Sequence, residues 1–219
     1  DDATPDYEEY KPDKLIKRVY SIASSSKSKE FVEFYISIVR SGALTPRLFA
    51  LNIGDRIELG KKMVGMFTLE QVPEDNNVVL VATGTGVAPY VSMLRSNILG
   101  GGKRKIAVIH GAANSWDLGY SSELMLLESM SDRFTYLPTI IDVDKEHVRW
   151  NGDTRFVQEM WAAGVIEKAW GLKPGPDNTH IFLCGNPKMV ESMFELLEKD
   201  KFIEHKRKQP GQIHVESWG

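Results

Sequence analysis

The stretch of residues 78–95, VVLVATGTGVAPYVSMLR, constrains the fold of this chain more than any other feature. Its continuous apolar run over residues 78–82 is typical of a strand that is buried on both faces. A turn containing Gly84 and Gly86 follows, and Pro89 then suits the first turn of a helix, where its missing N–H would be unpaired anyway. The glycines let the backbone approach a ligand closely, and a helix N-terminus presents unpaired N–H groups. The stretch therefore predicts a phosphate or pyrophosphate site, although such glycines also occur in ordinary strand–helix turns.

Composition narrows the class of protein. The chain has 219 residues, 42% of them hydrophobic, which is enough for one or two cores. Its net charge of −3 argues against nucleic acid as a partner. The single cysteine, Cys184, precludes an internal disulfide and fits a reducing compartment. Because no apolar run reaches membrane-spanning length and the first residues are acidic, we expect a cytoplasmic protein with no signal peptide and no membrane partner.

The pattern of apolar residues changes near residue 76. The predicted elements before this point are an acidic loop, a short helix within residues 44–51, and strands at residues 15–23, 31–39, 56–59 and 65–69. After it, the predicted strands are residues 78–82, 105–110, 135–141, 180–184 and 212–216. Between these strands lie predicted helices at residues 89–98, 121–130, 154–163 and 188–199. This alternation indicates crossover connections, so we expect a β domain over residues 1–75 and an α/β nucleotide-binding domain with a five-stranded parallel sheet over residues 76–219.

Five short motifs give the chain a more specific signature. In order, they are Arg18-Val19-Tyr20-Ser21, Gly42-Ala43-Leu44-Thr45, Thr83-Gly84-Thr85-Gly86-Val87-Ala88-Pro89, Cys184-Gly185-Asn186-Pro187-Lys188-Met189 and Glu216-Ser217-Trp218. Together they resemble the flavin and pyridine-nucleotide motifs of the ferredoxin–NADP reductase family, and most closely those of its bacterial ferredoxin/flavodoxin reductases. The resemblance implies that the first domain is an antiparallel β-barrel that binds FAD.

The resemblance also implies roles for residues on the flavin side. Arg18 would pair with the FAD pyrophosphate, for which a guanidinium fork is well shaped. Tyr20 would stack on the isoalloxazine ring, and the Ser21 hydroxyl would lie near flavin N5. The rest of the flavin cradle would come from Tyr35, Gly42, Leu44 and Thr45. Taken alone, the same residues also fit an ordinary amphipathic strand and a hairpin turn.

On the nucleotide side, the resemblance places Thr85 against the flavin, between Gly84 and Gly86 of the phosphate turn. Cys184 would lie near nicotinamide C4 and shape the pocket, although a free cysteine ending a strand is most often a small hydrophobe. Glu216 would handle charge and protons near the nicotinamide, unless it is only a surface carboxylate. Trp218 would stack on the flavin face that the nicotinamide must occupy. The other members of the cysteine motif assigned to the cofactor site are Gly185, Asn186, Pro187 and Met189.

Two positions depart from the NADP-specific pattern of the family. Ala113 stands where an arginine that grips the 2′-phosphate is expected, and Asp142 begins a segment without the expected Ser-Arg pair. A carboxylate repels a 2′-phosphate but accepts hydrogen bonds from a ribose 2′-OH. Arg155 fits the remaining basic position. We therefore expect NADH to be accepted at least as well as NADPH.

The front of the chain departs from the family as well. Only the acidic loop of residues 1–14 precedes Arg18, where the family has the first strands of its barrel. A barrel without these strands would have open edges and an incomplete flavin site. We therefore expect an N-terminally incomplete form in which FAD is weakly held or absent.

The function implied by the resemblance is electron exchange between NAD(P)H and a one-electron carrier, ferredoxin or flavodoxin, through FAD. Such carriers are acidic, so Lys14, Lys17 and the basic residues 206–208 are docking candidates. Two alternatives stay open: an NADH-dependent reductase component of an oxygenase, which usually carries clustered cysteines, and a non-catalytic nucleotide-binding subunit of an electron-transfer complex. No metal site is predicted, because the histidines are scattered and no cysteines are paired.

Overall fold

A computed structural model describes residues 15–61, 65–97 and 102–216 of the chain. Its central feature is a five-stranded sheet in the order β3-β2-β1-β4-β5. Every neighbouring pair of these strands is parallel, so the predicted five-stranded parallel sheet is confirmed. The strands are β1 Asn77–Thr83, β2 Ile106–Ala112, β3 Phe134–Ile140, β4 Thr179–Cys184 and β5 Ile213–Glu216.

The sheet is covered by helices on both faces. The α-helices among the described residues are α1 Thr45–Phe49, α2 Ala88–Asn97, α3 Ser121–Met130, α4 Val157–Ala162, α5 Val165–Trp170 and α6 Pro187–Lys199. The predicted helix at residues 154–163 starts later than expected, because the preceding backbone bonds to the end of β3: Ile140 N–H donates to Asp153 O at 3.2 Å. Helix α5 was not predicted; Gly164 separates it from α4 by adopting a positive φ of 67°. None of the helices in the described residues is long and apolar enough to cross a membrane.

The central position of β1 in the sheet explains why residues 78–82 are all apolar. The strand lies at the centre of the sheet between β2 and β4, and its residues alternate between two apolar clusters. On one face, Leu80 belongs to the cluster that includes Tyr90 of α2. On the other face, Val81 belongs to the cluster that includes Met193 of α6. A central strand of this kind needs apolar side chains on both faces, and the turn that follows it is held rigidly in place.

The predicted strands before β1 are wrong as regular strands. The described residues 15–61 and 65–76 contain one isolated antiparallel bridge, between Ile22 and Phe34, next to a bond from Ala23 N–H to Glu33 O at 2.8 Å. A strand requires a hydrogen-bonded neighbour along its length, and here that pairing ends after the bridge. Apolar side chains of this part stay exposed, among them Phe31 at 54%. The antiparallel barrel implied by the resemblance is therefore not confirmed by these residues.

Candidate functional site

A cleft of about 810 Å³ lies at the carboxyl ends of β1, β2 and β4. The strand order runs outward in opposite directions from β1 and β4, so the cleft occupies the position where open parallel sheets bind their ligands. The turns after these strands form one wall. The other wall comes from the front of the chain, through Tyr20, Ser21 and Tyr35. A volume of this size suits a small-molecule or cofactor site.

The two turns that floor the cleft are packed against each other. A Cβ atom added to Gly86 would collide with the backbone of Cys184, and one added to Gly185 would collide with Thr83. The contact is closed by a hydrogen bond from Asn186 N–H to Thr83 Oγ1 at 2.8 Å. These two glycines are therefore dictated by the close approach of two backbones. Gly84 is different: it has open space beside it but needs glycine for its positive φ of 52°.

Both turns lead into helices whose N-termini border the cleft. Helix α2 begins at Ala88 directly after the first turn, and α6 begins at Pro187. The Asn186 side chain caps α6 by accepting a bond from Lys188 N–H at 2.9 Å. Helix N-termini carry partial positive charge and free N–H groups, so this floor has the donor chemistry that a pyrophosphate requires.

Three of the predicted catalytic residues meet at one end of the cleft. Ser21 Oγ donates to Glu216 Oε2 at 2.6 Å, a contact that spans 195 positions of sequence. In the sheet register Glu216 lies opposite Cys184, whose side chain is buried. Burial, together with the nearby charge of Glu216, raises the pKa of the Cys184 thiol to about 12. Cys184 is therefore a neutral thiol at physiological pH and does not act as a nucleophile.

The flavin-side wall is aromatic and polar. Tyr20 packs edge-on against Phe34, with ring centroids 6.4 Å apart. Tyr35 donates its hydroxyl proton to the carbonyl of Asp117 at 3.2 Å, which ties this wall to the loop after β2. Aromatic faces beside hydroxyl and carboxylate groups fit a flat, polar ring system such as that of a flavin.

Several predicted flavin residues do not line the cleft. Arg18 is exposed and donates to the carbonyl of the adjacent Lys17 at 2.9 Å. The predicted cradle turn is closed on itself: Gly42 N–H donates to Val39 O at 2.8 Å, and Thr45 Oγ1 bonds to both backbone groups of Val39. Leu44 lies in the same turn, directly before α1. Trp218 lies outside the described residues.

At the far end of the cleft, Ala113 and Arg155 line the wall and Asp142 does not. The Asp142 carboxylate pairs with Lys145 Nζ at 2.6 Å. The Arg155 guanidinium is held by Asp153, with Nε 2.9 Å from Oδ1, and these bonds hold the pKa of Asp153 below its usual value. Arg155, the cation that lines this end, is therefore already paired with a carboxylate.

The remaining predicted cofactor residues are brought together as expected. The predicted residues that line the same cleft are Gly84, Thr85, Gly86, Gly185, Asn186, Pro187 and Met189. Sequence reasoning missed four other residues that line the cleft: Thr83, Gly111, Asp117 and Thr139. They all lie near or after the carboxyl ends of predicted strands, and that position is the signal that would have found them.

His110, which sequence reasoning also missed, supports the glycine turn through a hydrogen bond to Gly84. It is fully buried in β2, with Nε2 3.2 Å from Gly84 O and Nδ1 3.2 Å from the Tyr136 hydroxyl. Because a carbonyl can only accept, Nε2 carries the proton and Nδ1 accepts from Tyr136. Burial lowers the pKa of His110 to about 4, so the imidazole is neutral.

The chain is similar in sequence to known proteins. The family model of the oxidoreductase NAD-binding domain matches residues 80–194, more than half of the chain. The chain is 33% identical over 206 residues to a flavodoxin/ferredoxin–NADP reductase of Buchnera aphidicola subsp. Baizongia pistaciae, covering 94% of this chain and 81% of that protein. It is 30% identical over 175 residues to the flavodoxin/ferredoxin–NADP reductase of Escherichia coli, covering 80% of this chain and 69% of that one.

A solved structure is similar along nearly the whole chain. It is a ferredoxin NADP+ reductase from Neisseria gonorrhoeae with bound FAD and NADP. The TM-score is 0.84 at 26% identity, and the match covers 95% of this chain and 82% of that one. The similarity extends over the residues before β1 as well as over the parallel sheet.

Proposed function

The chain belongs to the ferredoxin–NADP reductase family, and we propose that it exchanges electrons between NAD(P)H and ferredoxin or flavodoxin through FAD. The observation that carries the proposal is the hydrogen bond between Ser21 and Glu216. It joins a residue of the flavin motif to the strand that ends the nucleotide-binding sheet, beside Cys184 and in the same cleft as the glycine turn.

The FAD-binding part and the NAD(P)-binding part correspond to the two walls of the cleft. We assign residues 1–75 to an FAD-binding part, with the antiparallel barrel as its proposed architecture, and residues 76–219 to the NAD(P)-binding part. The start of β1 at Asn77 supports this boundary. When bound, FAD supplies the chemistry: it takes a hydride in one step and releases electrons one at a time.

The protein supplies position and polarity around that chemistry. Tyr20 would stack on the isoalloxazine ring and Tyr35 would complete the flavin cradle, and Arg18 and the turn of Gly42, Leu44 and Thr45 are assigned to the rest of FAD. The Ser21 hydroxyl donates its hydrogen bond to Glu216. The Glu216 carboxylate is assigned to the place where charge changes during hydride transfer. Cys184, as a neutral thiol, fills space beside the nicotinamide without reacting. Trp218 is assigned to the flavin face that the nicotinamide must occupy.

The substrate dinucleotide occupies the floor. Its pyrophosphate lies over Gly84, Thr85 and Gly86 and the α6 N-terminus, where the donor set supports it. Its adenosine end points to Ala113 and Arg155. We propose that NADH is accepted at least as well as NADPH, because Ala113 carries no charge and Arg155 is already paired with Asp153.

We place the protein in the cytoplasm on the strength of its single cysteine. For the carrier, exposed basic side chains at Lys17, Arg207 and Lys208 are the proposed docking groups. The neighbouring Lys206 is a weaker choice, because its ammonium pairs with Glu204 at 2.6 Å.

The test is flavin binding and turnover by the full chain with NADH and with NADPH. With FAD added, we expect a flavin absorbance that is bleached by reduced nucleotide and recovers when ferredoxin or flavodoxin is added. A protein that neither binds added FAD nor oxidises reduced nucleotide would contradict the function. Flavin that binds but is not bleached would indicate a non-catalytic subunit.

A separate variant tests the preference between NADH and NADPH. Ala113→Arg adds the guanidinium that the NADP-specific pattern has, so kcat/KM for NADPH should rise about tenfold, the effect of one charged hydrogen bond, while NADH is unchanged. Ala162→Arg is the matched control, because Ala162 is exposed at the end of α4 and does not line the cleft. A large NADPH preference in the unmodified protein would contradict the proposal.

A further inference from the structure

Arg95, on α2, ties three separate parts of the chain together. Its Nε and Nη2 atoms hold the two carboxylate oxygens of Glu123 at 2.8 and 2.7 Å. Its Nη1 atom donates to the Glu33 carboxylate at 3.2 Å and to the carbonyl of Ala23 at 3.1 Å. The side chain is only 26% exposed, so these bonds are shielded from solvent more than those of a surface ion pair.

The two front segments that Arg95 holds are the ones that carry the flavin-side wall. Ala23 lies two residues after Ser21, and Glu33 lies two residues before Tyr35. The segments are paired by the bridge between Ile22 and Phe34 and by the bond from Ala23 N–H to Glu33 O at 2.8 Å. In extended chain, residues two apart share a face, so Glu33 and Tyr35 both face the nucleotide-binding part.

Tyr120, at the start of α3, completes the connection. Its hydroxyl donates to Glu33, and its ring meets the ring of Tyr35 edge to face, with centroids 5.4 Å apart. The guanidinium carbon of Arg95 lies 5.3 Å from the centre of the same ring. Tyr120 adopts a φ of 63°, an unfavourable conformation for a bulky residue that persists only where its surroundings hold it.

The loop before Tyr120 is shaped to receive Tyr35. A Cβ atom at Gly119 would collide with the Tyr35 ring, so only glycine leaves room for it. The Tyr35 hydroxyl then reaches the carbonyl of Asp117. Tyr35 is thus held on two sides by a loop whose own conformation depends on Tyr120, Glu33 and Arg95.

We propose that Arg95 is a positioning residue for electron transfer: through Glu33 and Tyr120 it fixes Tyr35, and through Ala23 it fixes the segment of Ser21, so that the flavin-side wall stands in register with the nucleotide-binding floor. This inference rests on the proposed function. The role requires arginine, because a planar fork with five donors serves two carboxylates and a carbonyl at once, whereas a lysine ammonium cannot span them.

The experiment compares Arg95→Met and Arg95→Lys with Arg104→Met as a matched control. Arg104 is another partly buried arginine, and it holds the carbonyls of Val72 and Pro73 at 3.1 and 2.6 Å, away from the cleft. Two properties are measured in each variant: FAD binding, as the dissociation constant obtained from fluorescence of the released flavin, and turnover of NADPH, as kcat and KM. Thermal unfolding verifies that each variant is folded.

Both Arg95 variants should weaken FAD binding and lower kcat, each about tenfold, because misplacement of the ring removes aligned geometry, while the KM for NADPH stays within about twofold. The control should lose thermal stability without changing either property. An Arg95→Met protein with the FAD affinity and kcat of the control would overturn the inference, and so would one in which only KM changed.

A second pair of variants covers the case in which Arg95 substitutions do not fold. Glu33→Ala removes the carboxylate that accepts from Arg95 and Tyr120 and so breaks the path to Tyr35, whereas Glu123→Ala leaves Arg95 bonded to Glu33 and Ala23. We expect the first to weaken FAD binding clearly more than the second, and equal effects would refute the inference. Failure of the unmodified chain to bind FAD would instead count against the proposed function.

Discussion

Single side chains in the cleft are tuned by burial more than by neighbouring charge. Cys184 ends β4 and His110 lies within β2, and burial is the first cause of the pKa shift of each. Burial disfavours the charged form, so the thiol keeps its proton and the imidazole does not take one. The Cys184 thiol and the His110 imidazole, which lie beside the two turns of the cleft, are therefore both neutral.

The state of Cys184 gives the first prediction. With its pKa raised to about 12, the thiol should react with iodoacetamide at pH 8 far more slowly than in unfolded chain, where the thiolate is a substantial fraction. Mass spectrometry after timed labelling measures the difference, with and without urea. The chain has one cysteine, so a Cys184→Ala variant is a complete control. Rapid labelling of the folded protein would show that the thiolate is accessible.

Turns decide the geometry of the site at the next level. The turn after β1 and the turn after β4 are far apart in sequence, yet their backbones touch through Gly86 and Gly185. A pyrophosphate site requires several N–H groups at fixed relative positions, and this contact supplies the fixation. The glycines thus serve packing between turns as well as access for the ligand.

Gly86→Ala tests this contact. The added methyl group meets the carbonyl of Cys184, which is backbone and cannot move aside cheaply, so we expect a loss of about 1–3 kcal/mol in the free energy of unfolding. The dissociation constant of NADP+ should rise as well, because the N–H groups shift. Gly175→Ala is the control, since a Cβ there meets nothing within 4 Å and its φ is not positive. A Gly86→Ala protein as stable as the control would contradict the packing argument.

At the scale of the whole molecule, buried histidines make the folding stability sensitive to acid. His180 and His214 stack with ring centroids 5.3 Å apart and share a bond of 3.0 Å between Nδ1 and Nε2. His205 stacks on the other side of His214 at 4.7 Å. Burial first, and the facing histidines second, lower the pKa of His180 to about 4 and that of His214 to about 3. These rings join β4 to β5, the strand that carries Glu216.

Stability should therefore fall on acidification, beginning near the unfolded histidine pKa of 6.5. Because the folded pKa values lie below that value, the unfolded chain takes up protons first, and stability is lost as the pH falls from about 6.5 towards 4. The upper part of this range, down to about pH 5, isolates the histidines, since carboxylates such as Glu33 titrate lower.

His214→Phe should flatten this dependence. A phenyl ring keeps the stacking on Phe182, whose centroid lies 4.2 Å away, but removes one group that must be protonated on unfolding. Urea unfolding at about pH 7 and pH 5 measures the slope for each protein. His147→Gln, at an exposed position, is the control. An unchanged slope in His214→Phe would refute the role of the stack.

Local patterns were sufficient for the parallel half of this protein. The apolar run of β1, the glycine turn and the strand–helix alternation depend on residues a few positions apart, so periodicity and turn chemistry predict them from sequence. The resemblance of their motifs to the family assigned Cys184, Gly86 and Gly185 to one site, and the fold brings them together because the carboxyl ends of parallel strands share an edge.

Other features depended on contacts between residues distant in sequence. The pairing of Ser21 with Glu216, the bonds of Arg95 to Glu33 and Glu123, and the support of Gly84 by His110 have no local signature. The failure of the early strands has the same origin: a β-prone segment becomes a strand only where a neighbour meets its backbone groups. Sequence by itself therefore determined the strands and glycine turns of the parallel sheet and the motifs they carry. Tertiary packing decided whether the front segments pair as strands and which side chains touch, because both depend on the register and docking of whole elements.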